Sequence, residues 1–378
     1  MGAYLDSSDR PDRIAGGARM IPVTTPVGDF RVWTKRVGSN PDLTVLLLHG
    51  GPGATHEYLE TCDGYLPAAG IEYYFYDQLG SFYSDQPDDP SLWEIDRFVD
   101  EVEQVRLALG LGPESFVLYG QSWGGVLAIE YALAHQQQLK GLVVSNMMAS
   151  IPAYNRYAEE VLMPEMDQAA LVEIKRLEAA GETSDPAYEA LLMEHHYVHH
   201  VCRLPADEWP DPVVRGFEHI NPAIYVPMQG PSELGASGKL EAAKQYESPR
   251  YMELLMPHHY AQHILRMPPD QWPEPVNRSF KHLNPKVYIP MQGPSELGAS
   301  GKLAKWDRTA DLKNVAVPTL VIGAQHDTMD PKHMEWMSRQ FPRGRYLFCP
   351  NGSHMAMYDD QQTYFSGLIA FLKDIDKM

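Results

Sequence analysis

The chain has 378 residues, of which 44% are hydrophobic and 21% charged, a composition that is ordinary for a soluble globular protein. Its net charge of −19 at pH 7 argues against a nucleic acid or an anionic membrane surface as partner, and no apolar run approaches the length of a membrane span. Three scattered cysteines are too few for a disulfide framework, and the start of the chain lacks a signal-peptide pattern, so we expect a cytoplasmic protein.

Short apolar segments alternate with amphipathic ones over the first part of the chain. Two β-rich runs within residues 20–37 are split by Pro-Val-Gly-Asp and predict a hairpin. Ser91 and Glu94 predict a capping box ahead of an amphipathic helix. Further segments predict strands at 44–48, 73–76, 116–119 and 142–144 and a helix at 126–134. Strands and helices that alternate in this way indicate a parallel sheet covered by helices on both faces, the α/β class.

The alternation stops near residue 148 and resumes at 317. The intervening segment is rich in Pro, Trp, His and Met and shows no strand alternation. We therefore predict an α/β core formed by residues 1–148 and 305–378, with a helical cap inserted at 149–304. The second part of the core is predicted to contain a strand at 317–323, a helix at 334–341, a strand at 345–348 and a terminal helix at 361–372.

The predicted cap contains a tandem repeat, with one copy at 186–240 and the other at 249–303. The run Pro-Met-Gln-Gly-Pro-Ser-Glu-Leu-Gly-Ala-Ser-Gly-Lys-Leu occurs unchanged in both copies. A solenoid needs about three or more stacked units, so two copies indicate an internal duplication that enlarges the cap. Because repeated elements joined by a linker favour exchange between protomers, a homo-oligomer or domain-swapped dimer is a hypothesis.

The motif Gly-Gln-Ser-Trp-Gly at 120–124 has the spacing of a nucleophile elbow. A predicted strand precedes it and a predicted helix follows, which is the context that this motif requires. Glycines suit the turn because strand and helix backbones approach closely there. Ser122 is therefore the candidate nucleophile.

A serine nucleophile needs a base and a third group that orients the base, and in this arrangement the acid and the histidine follow the serine in the chain. Asp327 comes just after the strand at 317–323 and is the candidate acid. Its alternative role is a helix amino cap, which Asp330 could equally supply. His354 lies in a turn-rich loop after the last predicted strand and is the candidate base.

Acyl transfer also needs donors for an oxyanion, and His-Gly-Gly-Pro-Gly at 49–53 follows a strand. Its glycines let backbone amides approach a substrate, so we assign Gly50 to substrate binding and the amides of Gly51 and Trp123 to the oxyanion hole. A phosphate-binding loop is excluded because no Lys-Ser/Thr follows. Histidines at 195, 196, 199 and 200 have helical metal-ligand spacing, but the second copy breaks half of the pairs, and we expect no metal and no cofactor.

Taken together, these motifs resemble the proline iminopeptidase family of serine α/β-hydrolases. The chain also carries Gly-Pro-x-Glu twice in the cap, at 230–233 and 293–296. It departs from the family's Asp-Gln-Arg-Gly-x-Gly-x-Ser, because Leu79 stands at the position of the arginine and Phe82 at that of one glycine. The resemblance implies that a cap glutamate, Glu296 or Glu233, binds the free α-ammonium group of the substrate. Glu296 is favoured, since only the second copy leads back into the core through Trp-Asp at 306–307.

The resemblance implies a serine hydrolase that releases an amino-terminal residue, proline or another small apolar one, from peptides, amino-acid amides or aryl amides. Thr328 stands where some relatives carry a second carboxylate, which leaves amides and esters open as substrates. One alternative is an esterase or acyltransferase of broader specificity with the same triad. Another is a protein whose remodelled cap has altered or abolished activity, leaving a binding role.

Overall fold

The structure is a computed structural model that describes residues 10, 12–162, 164, 264–266, 272–292, 299 and 301–378. A single eight-stranded sheet of order β1-β2-β4-β3-β5-β6-β7-β8 forms its centre. The strands are β1 Ala18–Thr25, β2 Gly28–Val37, β3 Thr44–Leu48, β4 Glu72–Asp77, β5 Phe116–Gln121, β6 Gly141–Ser145, β7 Thr319–Ala324 and β8 Gly344–Cys349. β1 and β2 pair antiparallel, as do β2 and β4, and every other neighbouring pair is parallel. The predicted α/β class is confirmed.

Helices connect the strands and cover the sheet. The α-helices of the described residues are α1 Ile95–Leu109, α2 Trp123–His135, α3 Ile151–Tyr157, α4 Glu274–Lys281, α5 Pro285–Met291, α6 Pro331–Gln340, α7 Ala356–Asp359 and α8 Gln361–Asp376. Short 3₁₀ segments also occur, of which His56–Gly64 is the one that borders the site described below. Among the described helices, none is long and apolar enough to cross a membrane.

The sheet interior explains why the strand predictions hold. β3, β4, β5, β6 and β7 are buried along their whole length, so they appear in the sequence as continuous apolar or aromatic runs rather than as alternating ones. β8 lies at the edge of the sheet and is only partly buried. Two hydrophobic clusters cover the two faces, one around α8 and the other around α1 and α2.

Two local predictions differ from the structure in detail. The hairpin forms, but its turn is Pro26-Val27, and the glycine and aspartate expected in the turn begin β2 instead. The capping box is wrong: Glu94 itself is the residue before α1, and its side chain makes no capping bond. Ser91 lies in a separate 3₁₀ turn, Pro90–Leu92, where its amide donates to the Asp89 carboxylate.

The segments that leave and re-enter the core meet at one point. Ser150 and Asp307 form an isolated antiparallel bridge, and the Ile151 amide donates to the Trp306 carbonyl oxygen over 2.9 Å. These contacts lie close to the predicted cap boundaries at 149 and 304. The division into two core parts and a duplicated cap stays a prediction, because most of 163–263 lies outside the described residues.

Candidate active site

Ser122 stands between the end of β5 and the start of α2, with a positive φ of 55°. A non-glycine residue in this region is strained, as expected of a nucleophile elbow. The turn leaves no room for side chains on either flank. A Cβ at Gly120 would lie 1.9 Å from the Gly124 carbonyl oxygen, and one at Gly124 would lie 2.2 Å from that of Leu48. The glycines of the motif are thus required by close backbone approach.

Asp327 and His354 follow the neighbouring strands β7 and β8, whose carboxyl ends meet at the same edge of the sheet as that of β5. His354 Nδ1 lies 2.8 Å from Asp327 Oδ1, and both side chains are buried. The Met329 amide donates to the same Asp327 oxygen over 3.1 Å. The helix-cap alternative for Asp327 is wrong, because Asp330 caps α6 by accepting from the Lys332 amide over 2.9 Å.

Asn146 is a member of this site that the sequence analysis missed. It follows β6 directly, is fully buried and has a positive φ of 52°. Its Nδ2 donates to Asp327 Oδ2 over 2.7 Å and to the Ser353 carbonyl oxygen over 3.1 Å. Its position was open to prediction, since a polar residue directly after a buried parallel strand lies at the same sheet edge as the other candidates. Asn146 fixes the second oxygen of Asp327, the one that His354 does not use.

The loop that carries His354, residues 350–355, is called the base loop here. Asp359 anchors it from α7: its carboxylate accepts from the Ser353 amide over 3.0 Å and from the Ser353 hydroxyl over 2.5 Å. The Arg266 amide donates to Asp359 over 2.6 Å, and the Met355 amide donates to the Ile264 carbonyl oxygen. Burial raises the pKa of Asp359 to about 7 in spite of these donors. The base loop is therefore held to residues 264–266 of the second repeat copy.

The predicted oxyanion donors lie on the other side of Ser122, in the loop 49–53, called the oxyanion loop here. Within the described residues, neither the Gly51 amide nor the Trp123 amide donates to a protein acceptor. The Gly50 amide is already used, since it donates to the Tyr58 hydroxyl over 2.6 Å. Gly50 therefore presents to the cavity a surface without a side chain rather than a free donor.

The His49 side chain contacts the backbone of the oxyanion loop and of Gln78, the residue after β4. Its ring accepts from the Gln78 amide at Nε2 over 3.2 Å, and its Nδ1 lies 2.8 Å from the Gly50 carbonyl oxygen. Burial lowers the pKa of His49 to about 4. The imidazole is thus neutral at pH 7, with its proton on Nδ1 directed at the Gly50 carbonyl.

A single cavity brings these groups together. Ser122, His354, Gly50 and Gly51 line one side of it. The apolar walls come from the core residues Tyr58 and Met355 and from Ile264, Leu283 and Tyr288 of the second repeat copy. The second copy therefore covers the cavity.

Some predicted groups lie outside the described residues. They are both cap glutamates, Glu233 and Glu296, and the histidines at 195, 196, 199 and 200. In the part of the chain that the structure describes, no three His, Cys, Asp or Glu side chains are grouped so as to hold a metal ion.

Helix α4 seats the second copy on the core through polar contacts beside the cavity. Ser279, which lines the cavity, accepts from the Thr55 hydroxyl over 2.9 Å. His282 Nδ1 lies 2.5 Å from the buried Glu57 carboxylate, and Arg278 pairs with both Glu57 and Glu60. Glu57 is buried, and its contacts with the partly exposed Arg278 and His282 hold the second copy against the core beside the cavity.

A mostly parallel sheet with a strained serine at a strand–helix turn and a paired acid and histidine after later strands defines an α/β-hydrolase, and the chain is an enzyme of this class. The family model described as alpha/beta hydrolase fold matches residues 44–173.

Two relatives are close over nearly their whole length. The chain is 48% identical to a proline iminopeptidase of Elizabethkingia meningoseptica and 47% identical to one of Flavobacterium johnsoniae, and each alignment covers 94% of this chain and 98% of the relative. The crystal structure of a proline iminopeptidase from Mycobacterium smegmatis superimposes with a TM-score of 0.67, at 24% identity, over 95% of this chain and 98% of that one. The chain belongs to the proline iminopeptidase family, which confirms the resemblance seen in the motifs.

Proposed function

We propose that the enzyme releases an amino-terminal proline, or another small apolar residue, from peptides and amino-acid amides through an acyl-enzyme on Ser122. The observation that carries this proposal is the 2.8 Å contact between His354 Nδ1 and Asp327 Oδ1 at the cavity that Ser122 also lines. The names of the closely related enzymes support proline as the released residue.

The chemistry follows from the roles of these groups. His354 takes the proton of the Ser122 hydroxyl at Nε2 as the serine oxygen attacks the carbonyl carbon of the first residue. Asp327 holds the imidazole by its Nδ1–H and stabilises the imidazolium that forms. The tetrahedral oxyanion is bound by the amides of Gly51 and Trp123. His354 then gives its proton to the leaving amine, and water hydrolyses the acyl-enzyme by the same steps.

The cavity favours a small apolar first residue. Its walls are Tyr58, Ile264, Leu283, Tyr288 and Met355, which provide rings and aliphatic groups but no charge. Burial of an apolar ring against such walls is favourable by about 25 cal/mol per Å² of surface removed from water. A carboxylate of the cap, Glu296 or Glu233, is proposed to pair with the substrate's α-ammonium group, which would select unblocked amino termini.

The test compares prolyl p-nitroanilide with its N-acetylated form, using wild type, Ser122→Ala and Ser91→Ala. We expect wild type and Ser91→Ala, whose serine is exposed, to cleave the free substrate and to be labelled by a fluorophosphonate probe. Ser122→Ala should lose at least about a thousandfold in kcat and all labelling while staying folded. Near wild-type turnover by Ser122→Ala would overturn the serine assignment. Equal cleavage of the acetylated substrate would favour the esterase or acyltransferase alternative.

We further propose that the enzyme works in the cytoplasm on small peptides and that the duplicated cap promotes a homo-oligomer or swapped dimer. Cys62 and Cys349 are buried free thiols, and burial raises the pKa of both, which suits a reducing compartment. Size-exclusion chromatography of the full chain and of a variant lacking residues 186–240 tests the second point. A monomeric full chain at micromolar concentration would overturn it.

A further inference from the structure

A chain of buried hydrogen bonds joins the oxyanion loop to the base loop behind Ser122. The Gly50 amide donates to the Tyr58 hydroxyl over 2.6 Å, and this hydroxyl donates to Gln121 Oε1 over 2.7 Å. Gln121 Nε2 then donates to the His354 carbonyl oxygen over 3.1 Å. Tyr58 and Gln121 are 3% and 2% exposed, so water does not compete for these bonds. The chain of bonds Gly50–Tyr58–Gln121–His354 is called the bracket here.

The hydrogen bonds of the bracket can run in only one direction, from the Gly50 amide to the His354 carbonyl, because the groups at its two ends allow no other. A backbone amide can only donate and a backbone carbonyl can only accept, so Gly50 and His354 fix the orientation of everything between them. The Tyr58 phenol must use its single proton on Gln121, and the Gln121 amide must direct its oxygen at Tyr58 and its nitrogen at His354. A fully satisfied, buried network of this kind holds its members in one geometry.

Each member of the bracket adjoins a group of the proposed reaction. Gly50 precedes Gly51, the proposed oxyanion donor, and Gln121 precedes Ser122. The bracket ends at the backbone carbonyl of His354, the proposed base. Gly50, Gln121 and Ser122 are closely packed, since a Cβ at Gly50 would lie 3.0 Å from both Gln121 Oε1 and Ser122 Cβ. The separation of oxyanion donor, nucleophile and base is thus set by two side chains, whose hydrogen bonds join the backbone of the oxyanion loop to the backbone of the base loop.

We propose that Tyr58 and Gln121 are positioning residues that hold the oxyanion loop and the base loop at a fixed separation around Ser122. The proposal rests on the proposed function, and it assigns a role to the variable position between the first glycine and the serine of the elbow motif. It predicts that loss of the bracket lowers the rate of the chemical step and leaves substrate binding nearly unchanged, because a loosened geometry is felt most in the transition state.

The experiment measures kcat and KM for prolyl p-nitroanilide with Tyr58→Phe, Gln121→Met and the double variant. Tyr58→Phe keeps the ring that lines the cavity and removes only the hydroxyl. The matched control is Tyr131→Phe. It removes the hydroxyl of another buried tyrosine, which lies within α2 and donates to the Glu103 carboxylate over 2.7 Å. Thermal unfolding and fluorophosphonate labelling are followed for every variant.

We expect kcat to fall at least tenfold in each single variant, with KM changed less than threefold and Tyr131→Phe within twofold of wild type. The double variant should lose little more than the worse single variant, since the two residues act as one unit. The inference is overturned if kcat stays within twofold of wild type in Gln121→Met and in any folded Tyr58→Phe, or if Tyr131→Phe loses as much as they do.

Gln121→Glu gives an independent readout that a packing defect would not move. A neutral glutamic acid can accept from Tyr58 and donate to the His354 carbonyl, as Gln121 does, whereas an ionised glutamate has no proton for that carbonyl. The ratio of kcat in Gln121→Glu to kcat in wild type should therefore be highest at low pH and fall as the new carboxyl ionises; a ratio as low as that of Gln121→Met at every pH counts against the bracket. Failure of the proposed function is distinguishable, because wild type itself would then neither cleave the substrate nor react with the probe.

Discussion

Removal of the Asn146 side chain is the perturbation whose effect on the proposed acid can be worked out most directly. The Asn146 amide donates to Asp327 Oδ2 over 2.7 Å and to the Ser353 carbonyl over 3.1 Å, in the buried region behind His354. Asn146→Gly removes these two bonds and the one that the Ser145 hydroxyl donates to Asn146 Oδ1 over 2.8 Å, and it keeps a residue that accepts the φ of 52° without strain. Asn146→Ala removes the same bonds and adds the cost of a β-carbon in the left-handed region.

The magnitudes follow from the contacts. A hydrogen bond to a charged group contributes about 1.5–3 kcal/mol, so we expect Asn146→Gly to lower the free energy of unfolding by about 2 kcal/mol. The alanine should cost roughly 1 kcal/mol more, because of its left-handed backbone. If Asp327 then holds His354 less firmly in the transition state by the same 2 kcal/mol, kcat/KM falls about 30-fold in both variants.

The assay pairs urea unfolding with kcat/KM for prolyl p-nitroanilide. The two variants should differ from each other in stability but agree in activity, because only the backbone conformation separates them. Equal kcat/KM in Asn146→Gly and wild type would refute the claim that Asn146 orients Asp327. A glycine variant less stable than the alanine variant would refute the backbone argument.

Three further predictions concern the elbow and the titration of buried groups. Gly120→Ala should lower the free energy of unfolding by about 3 kcal/mol or more, or prevent folding, because its Cβ would lie 1.9 Å from the Gly124 carbonyl oxygen. The control Gly112→Ala, whose Cβ would have no neighbour within 4 Å, should stay close to wild type in a thermal melt. Burial lowers the pKa of His49 from 6.5 to about 4, so over this range the unfolded chain binds a proton that the folded chain does not. The contribution of His49 to stability should therefore fall as pH falls from about 6.5 to about 4, and the free energy of unfolding of wild type minus that of His49→Asn, measured in urea, should fall with it. Burial raises the pKa of Asp359 from 3.8 to about 7, so over this range the folded chain retains a proton that the unfolded chain releases. The contribution of Asp359 to stability should therefore fall as pH rises from about 4 to about 7, opposite in sign to that of His49, and a free energy of unfolding of wild type minus that of Asp359→Asn that stays constant over this range would contradict this account.

Much of the site could be predicted from the sequence because parallel sheets obey a simple rule. Ser122, Asp327 and His354 each follow a buried strand, and the carboxyl ends of neighbouring parallel strands meet at one edge. The burial of these strands made them visible as apolar runs, so their order along the chain carried enough information to bring distant residues together. Asn146 follows β6 in the same way, and attention to every polar residue after a strand would have found it.

Local sequence patterns predicted helix caps less well, because several neighbouring residues could serve as the cap of the same helix. Ser91 and Glu94 have the spacing of a capping box, but the helix begins one residue after Glu94, so the predicted pairing has no amide to satisfy. Asp327 and Asp330 were equal candidates for the cap of α6 by sequence. The structure separates them, since Asp330 bonds the helix amide and Asp327 bonds His354 and Asn146.

The sequence by itself determined the strands of the core and their order along the chain, the elbow, and the chain order of its acid and histidine partners, because these depend on hydrophobic periodicity and on turns within a few residues. The tertiary structure alone showed that residues of the second repeat copy line the cavity, how Asp359 joins the base loop to that copy, and that Tyr58 and Gln121 connect the two loops around Ser122. The bonds from Gln121 to Tyr58 and to His354 join residues 63 and 233 positions apart, and no local spacing encodes them. They follow from tertiary packing, because buried donors and acceptors in a folded protein are mostly paired, often with groups that are distant in the chain.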